Sequence, residues 1–209
     1  MVKDMHTIIM LHGHPLSGKS TAANKIKEFL DNNGLRADIV KSVATRYNEA
    51  EKKELTKDFI DEKIEKTKKE KDNSYMALCS IAEEKVKGDI IPILDATFHK
   101  HYRREWVYDL SKKLDANVYI IWIEFDDIKK IKKMLEQRQN NHDFRDNILS
   151  KWEQHALMVE QTDSIIDNEL KNNENIKMIR FDRAKKSLKF YNCSIKEKIV
   201  SLVCEALVG

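Results

Sequence analysis

Apolar residues recur along this chain in two rhythms. Short unbroken runs at His6 to His12 (HTIIMLH), Ala37 to Val40, Asp89 to Asp95 (DIIPILD) and Val118 to Phe125 read as strands buried on both faces. Between them, apolar residues return every three or four positions. That spacing predicts helices over Gly18 to about Asn33, His101 to Leu114, Asp127 to about Gln139, and 194–207. Asn32-Asn33-Gly34 is a stop signal for the first helix. Residues 49–87 read as helical and highly charged, with Asp72-Asn73-Ser74 expected to divide them into two helices. A polar turn, Asn140 to Asp143, leads into another helix near Phe144 to Gln161. Asp163 to Asp167 (DSIID) and Lys177 to Phe181 are candidate late strands. Pro92 has no N–H to give a ladder, which counts against a central place for its strand. Strands alternating with helices imply an α/β protein with a parallel sheet covered on both faces.

Composition narrows the class. The 209 residues suit one domain spanning 1–209, and two prolines and five glycines leave few places for a linker. No apolar run is long enough to span a bilayer and no secretory leader is recognisable, so no membrane partner is expected. Cys79, Cys193 and Cys204 are odd in number and widely spaced, which suits reduced thiols in a cytoplasmic protein. The net charge of +3 on a chain that is 35% charged gives no bulk argument for nucleic acid.

Candidate chemistry begins after the first strand. Gly13-His14-Pro15-Leu16-Ser17-Gly18-Lys19-Ser20, followed by Thr21, is GxxxxGK[ST] between a predicted strand and a predicted helix. Backbone N–H groups of such a loop converge on one concavity, and the helix adds its positive end. Lys19 is placed to neutralise β- and γ-phosphate oxygens and Ser20 to ligate Mg²⁺. A plain glycine turn would explain neither the lysine nor the spacing. There is no NKxD to read guanine and no LSGGQ element. Asp31-Asn32-Asn33-Gly34 matches DxxG only in letters, at a helix end. A small phosphotransferase or a small ATP-driven switch remains.

Two further stretches bear on that choice. In "IIPILDATFHKHYRRE", Asp95 ends a strand where a Walker-B carboxylate would hold the Mg²⁺ shell or accept a proton; the alternative is a cap on the next helix. Thr97 is expected to face the same crevice, while Arg103 and Arg104 either reach an anionic substrate or lie on a solvated face. In "KMLEQRQNNHDFRD", Arg138 and Arg145 flank a polar turn, as a phosphate-closing lid or an ordinary surface hairpin. His12-x-His14 and His99-x-His101 could suggest zinc, but local hydrogen bonding is the expected use. Leu55, Phe59, Ile60 and Ile64 form a narrow apolar stripe on an otherwise solvated, substrate-side helix.

The phosphate loop, the "LDATF…RR" strand end and "EQRQ…R" before Trp152-Glu153-Gln154 together resemble one group of P-loop kinases. The group includes adenylylsulfate kinase, the kinase domain of polynucleotide kinase, seryl-tRNA kinase and zeta toxin, and the resemblance covers about residues 6 to 168. It implies a three-layer α/β/α P-loop NTPase fold with a five-stranded parallel sheet in order 2-3-1-4-5. It also implies a helical lid at about 136–150, ATP and Mg²⁺ as cofactors, and a hydroxyl acceptor. Carried over, it puts Lys19 and Ser20 at phosphate and Mg²⁺, Asp95 in the Walker-B place, and Arg138 and Arg145 in the lid. Several members carry an aspartate after strand 2; here "VKSVATRYNE" puts Ser42, Thr45 and Arg46 there. Either Asp95 does the proton work, or Glu49 does, or the acceptor is not an alcohol. Thr45 and Arg46 either bind an acceptor's negative group or form a plain loop. The acceptor is a small molecule or a nucleic-acid end. Lys129, Lys130, Lys132 and Lys133 beside the lid offer a track for a polynucleotide 5′-hydroxyl or tRNA-linked substrate. A non-catalytic ATP-binding switch and a toxin-like kinase of sugar nucleotides are the other readings.

Overall fold

The computed structural model describes residues 6–41, 57–140, 152–163, 165, 167–171 and 173–209, and in it strands and helices alternate as the two rhythms predict. The strands are β1 (His6–His12), β2 (Ala37–Lys41), β3 (Ile91–Asp95), β4 (Ala116–Glu124), β5 (Ile176–Asp182) and β6 (Ser187–Tyr191). The helices are α1 (Lys19–Asn32), α2 (Lys57–Lys87), α3 (His101–Leu114), α4 (Ile128–Asn140), α5 (Trp152–Glu160), α6 (Asp167–Lys171) and α7 (Lys198–Val208). The sheet runs β2-β3-β1-β4-β5-β6, parallel except for β6. The expected 2-3-1-4-5 order is therefore present, extended by a sixth strand that the sequence reading lacked.

Each inner strand shows one face to each helical layer. Ile8, Met10, Val118 and Ile120 pack with α2 and α3, while Ile9, Leu11, Tyr119 and Ile121 pack with α1 and α7. These two cores explain why the strand runs are apolar without alternation.

Four expectations need correction. β3 is an interior strand despite Pro92. Ile91 N donates to Arg36 O at 2.8 Å on the β2 side, so the nitrogen of Pro92 turns towards β1. The β1–β3 pairs begin one residue later, at Ile9 and Ile93, so the missing N–H falls before that ladder starts. The second correction is at Asp72-Asn73-Ser74, which does not break the helix: α2 is continuous through it. Asp72 is instead an ion-pair partner. Third, Asp163 to Asp167 forms no strand among the described residues. Asp163 N donates to His99 O at 2.8 Å, and Asp163 Oδ2 accepts the amide of His101 at 2.9 Å, capping α3 from a distant part of the chain. Fourth, β5 turns directly into β6. Asp182 Oδ1 accepts the amides of Ala184 and Lys185, each at 3.0 Å, and Lys186 takes a left-handed φ of 53°.

Arg103 and Arg104 fit neither the substrate nor the solvated reading. Arg103 grips Asp72 through Nε at 3.0 Å and Nη2 at 2.8 Å, with its guanidinium over the Tyr75 ring. Arg104, fully buried, forks onto Glu169 through Nε at 3.1 Å and Nη2 at 2.7 Å. Its Nη1 also donates to the carbonyls of Phe98 at 3.0 Å and Asp163 at 3.2 Å. Tyr108 adds a hydroxyl bond to Glu169 at 2.8 Å. These bonds tie α3, α6 and the segment after β3 into one unit. Removing one partner strands the other charge in the core. Arg104→Met should therefore cost about 3–5 kcal/mol in urea unfolding. Arg104→Met with Glu169→Leu should be more stable than Arg104→Met alone. A single variant within 1 kcal/mol of the parent, on the order of experimental scatter, would remove this anchoring role.

Candidate functional site

The loop from Gly13 to Gly18 leaves the C-terminal end of β1, in the middle of the sheet, and enters α1. Gly13 has φ 146°, and a methyl group added there would meet the carbonyl oxygen of Ile123 in β4 at 2.4 Å. Glycine is required at that point by crowding and by backbone angle together. Gly18 has φ 98°, and its added methyl would meet Arg183 Nη1 at 3.1 Å. Leu16 also takes a left-handed φ of 70°. His14, Pro15 and Leu16 are half-buried and Ser17 is buried. The hydroxyl of Ser17 has no hydrogen-bond partner among the described residues. The first hydrogen bond within α1 runs from Ala22 N to Gly18 O at 2.9 Å, so the helix presents its open end to the loop. Ser20 and Thr21 are exposed in that first turn.

Lys19 folds back over the loop. Its Nζ donates to Gly13 O at 2.8 Å and His14 O at 2.7 Å. An ammonium, a helix N-terminus, an orphaned buried hydroxyl and glycines too crowded for a side chain together make a cradle for an anion. Oxygen donors suit Mg²⁺ beside it. Asp95 closes β3, one step beyond the paired Met10 and Leu94, so it stands next to β1 just before the loop. Its carboxylate makes no hydrogen bond or ion pair with the described residues. The amide at the start of α3 is capped by Asp163 instead. Thr97 Oγ1 lies 3.4 Å from the Tyr75 hydroxyl at the edge of the same crevice.

The lid residues are only partly placed. Arg138 falls near the end of α4, with its side chain outside the described residues, and Arg145 lies outside them altogether. So do Ser42, Thr45, Arg46 and Glu49 after β2, together with Leu55 and the side chains of Phe59, Ile60 and Ile64.

The local hydrogen bonding expected of the histidines is found at His14 but not at Nδ1 of His12, which has no partner among the described residues. No group of three or more metal-ligating side chains occurs among the described residues. The ring of His101 sits between Glu105, at 3.3 Å, and Glu169, at 3.0 Å. His14 Nδ1 is 3.4 Å from the Thr162 hydroxyl. His12 is buried edge-on to Trp122, with ring centroids 5.2 Å apart and no partner for Nδ1. Burial, and then the charges of Arg104 and Lys19, hold its pKa down at about 3.

Some neighbours of the site gave no signal in the sequence. His155 of α5 is buried, its Nδ1 lacks a partner, and burial followed by the charge of Lys19 lowers its pKa. Arg183, just past β5, donates to Ser17 O at 3.4 Å, and its guanidinium lies 4.8 Å from the centre of the Phe125 ring. Neither residue belongs to a recognisable motif; the sheet order brings Arg183 to the loop, and His155 comes from a helix distant in sequence.

Comparison with known proteins comes to the same fold. Residues 8–160 match the protein family described as AAA domain. No curated protein matches the chain. Kti12 of Chaetomium thermophilum, solved in complex with ADP-AlF3, superposes with a TM-score of 0.60 at 13% identity, over 97% of this chain and 100% of that one. A candidate kinase of Chloroflexus aurantiacus gives a TM-score of 0.58 at 12% identity, over 96% of each chain. A structure from the PezAT toxin-antitoxin system of Streptococcus pneumoniae gives 0.55 at 13% identity, over 100% of this chain and 81% of that one. At these identities the likeness is one of fold.

His12 makes acid stability a direct probe of this site. Its folded pKa lies below its unfolded value of 6.5, so its neutral form is no burden above pH 6.5. As pH falls, the unfolded chain takes up a proton that the folded chain refuses. Stability should drop by up to about 1.4 kcal/mol per pH unit between 6.5 and 3 from this residue. Denaturant melts of His12→Gln should show a flatter acid limb. An unchanged limb would mean that His12 becomes protonated in the folded protein.

Proposed function

We propose that this chain, which belongs to the AAA domain family, is an ATP-dependent phosphotransferase that moves the γ-phosphate of ATP to a hydroxyl group. One observation carries the reading: the Gly13–Gly18 loop, crowded against Ile123 and crossed by Lys19, is shaped for a polyphosphate. Lys19 gives up its two loop carbonyls in favour of phosphate oxygens, and the loop amides and the Ser17 hydroxyl face the same anion. Ser20 and Asp95 would hold Mg²⁺, which supplies charge neutralisation between the phosphates. Asp95 would also be available to take the acceptor's proton. Arg138 and Arg145 close over the transferring group, where a guanidinium can bond two oxygens at once. The ADP-AlF3 bound by Kti12, a protein of this fold, supports a nucleotide as the ligand. The three free cysteines fit a reducing, cytoplasmic setting. No helix among the described residues is long and apolar enough to cross a membrane.

The test is transfer of labelled γ-phosphate from ATP to pooled metabolites, 5′-hydroxyl oligonucleotides and tRNA. Transfer to a pool identifies the acceptor class. ATP binding and slow hydrolysis without transfer would favour the regulatory switch. Lys19→Ala should reduce transfer by at least about a hundredfold while the melting curve is kept. Asp95→Asn should lose turnover and recover part of it at raised Mg²⁺ if the carboxylate holds the metal. It should lose turnover and the acid-side pH dependence together if it takes the proton. Retained activity in Lys19→Ala would refute the phosphate-loop assignment.

A further inference from the structure

Helix α5 lies against the phosphate loop, and bonds at its C-terminal end set that position. Thr162 Oγ1 is 3.4 Å from His14 Nδ1 in the loop. Lys100 Nζ, from the segment after β3, donates to Gln161 O at 2.7 Å, and Asp163 N donates to His99 O at 2.8 Å. The helix is thereby tied both to the loop and to the chain that follows Asp95. At its other end, Lys132 of α4 lies over the Trp152 ring, 4.9 Å from its centre. Helical bonds continue past α5 through Gln161 and Thr162. His155 stands about two turns before Thr162, so it shares the face that Thr162 turns to the loop.

His155 is 4% exposed. Its ring leans on Trp152, with centroids 5.7 Å apart and planes 35° from parallel. Nδ1 is shut off from water and bonds to no described residue. The charge of Lys19 acts on this ring, and the ring acts in turn on His14. The loop itself holds a second buried polar atom without a described partner, the Ser17 hydroxyl. A buried polar atom that has given up water for nothing weakens a fold. Two such atoms near one ammonium have a common remedy: an anion on Lys19 accepts from both.

Resting on the phosphate-loop reading above, we infer that His155 is a further nucleotide-binding residue, whose Nδ1–H donates to the terminal phosphate of ATP. The lysine of such a loop neutralises β- and γ-phosphate oxygens, so a ring beside Lys19 stands at that end of the nucleotide. The bonds from α5 to His99 and Lys100 put the helix on the side of the loop where Asp95 ends β3. A neutral imidazole suits the task, because it adds a directed donor without placing a second positive charge beside Lys19. Burial first, and then Lys19, lower the pKa of His155 and keep the ring neutral. ADP ends one phosphate short of this bond. His155 therefore discriminates ATP from the product of its own transfer.

The experiment compares MgAMP-PNP and MgADP binding to the full-length protein by calorimetry. His155→Phe should weaken AMP-PNP by at least about tenfold, the loss of one charge-assisted bond, and ADP by less than about twofold. His155→Asn, whose amide nitrogen falls near the place of Nδ1, should recover most of the AMP-PNP affinity. His155→Gln, whose amide reaches the place of Nε2, should not. In the parent protein labelled with ¹⁵N-histidine, the Nδ1 signal of His155 should move with AMP-PNP and stay with ADP. That measurement decides the matter even where His155→Phe fails to fold. Unchanged AMP-PNP affinity in His155→Phe, equal losses for the two nucleotides, recovery by His155→Gln instead of His155→Asn, or an Nδ1 signal indifferent to AMP-PNP would overturn the inference and leave the phosphate loop standing. A parent protein that binds neither nucleotide would overturn the phosphate-loop reading and this inference with it.

Discussion

The contact between Gly13 and the Ile123 carbonyl governs the arrangement of this molecule. No side chain fits there, so the loop leaves β1 pressed against the end of β4. That closeness exists only because β1 and β4 are parallel neighbours over the full length of β1. From it follow the open end of α1, the reach of Lys19 to the two loop carbonyls, and the burial of Ser17. Arg183 bounds the loop on its outer side, from a strand two places across the sheet. The loop is thus confined by backbone on one side and by a guanidinium on the other.

A second constraint shapes the other wall of the crevice. The segment after β3 has no strand to hold it, and late parts of the chain supply its bonds. Asp163 caps α3, and Arg104 binds two carbonyls of the connecting segments while its charge is matched by Glu169. Buried charge of this kind contributes less to net stability than an apolar core of equal volume would. It does fix direction, because a forked guanidinium is satisfied in few orientations. The course of the chain from the end of β3 into α3 depends on that fixed direction.

The fold was largely legible because its signals are local and redundant. β1 and α3 were placed to the residue, since an apolar run ending at glycine and an amphipathic stretch leave little choice. Errors arose where a distant residue decided the outcome. Asp163 looked like the start of a strand, and only the amide of His101 explains why it is not. Asp72 looked like a helix breaker until Arg103 supplied a partner. β6 escaped notice because its turn uses Asp182 and a left-handed lysine rather than glycine or asparagine. Within the site, the phosphate loop was legible because its glycines and lysine are contiguous. His155 and Arg183 were not, because they reach it from elements distant in sequence, a helix and the end of β5.

The central place of β1 also bears on how the protein is made. β1 sits between β3 and β4, neither of which exists until well after β1 has been synthesised. Its apolar run from Ile8 to Leu11 has no ladder partner while the chain ends before Ile91, and the Gly13 loop has nothing to press against until Ile123 has left the ribosome. A nascent chain therefore carries this apolar segment without a ladder partner until β3 has emerged. The ligand-binding geometry forms late and all together, when β4 enters the sheet, and not as an early folded fragment.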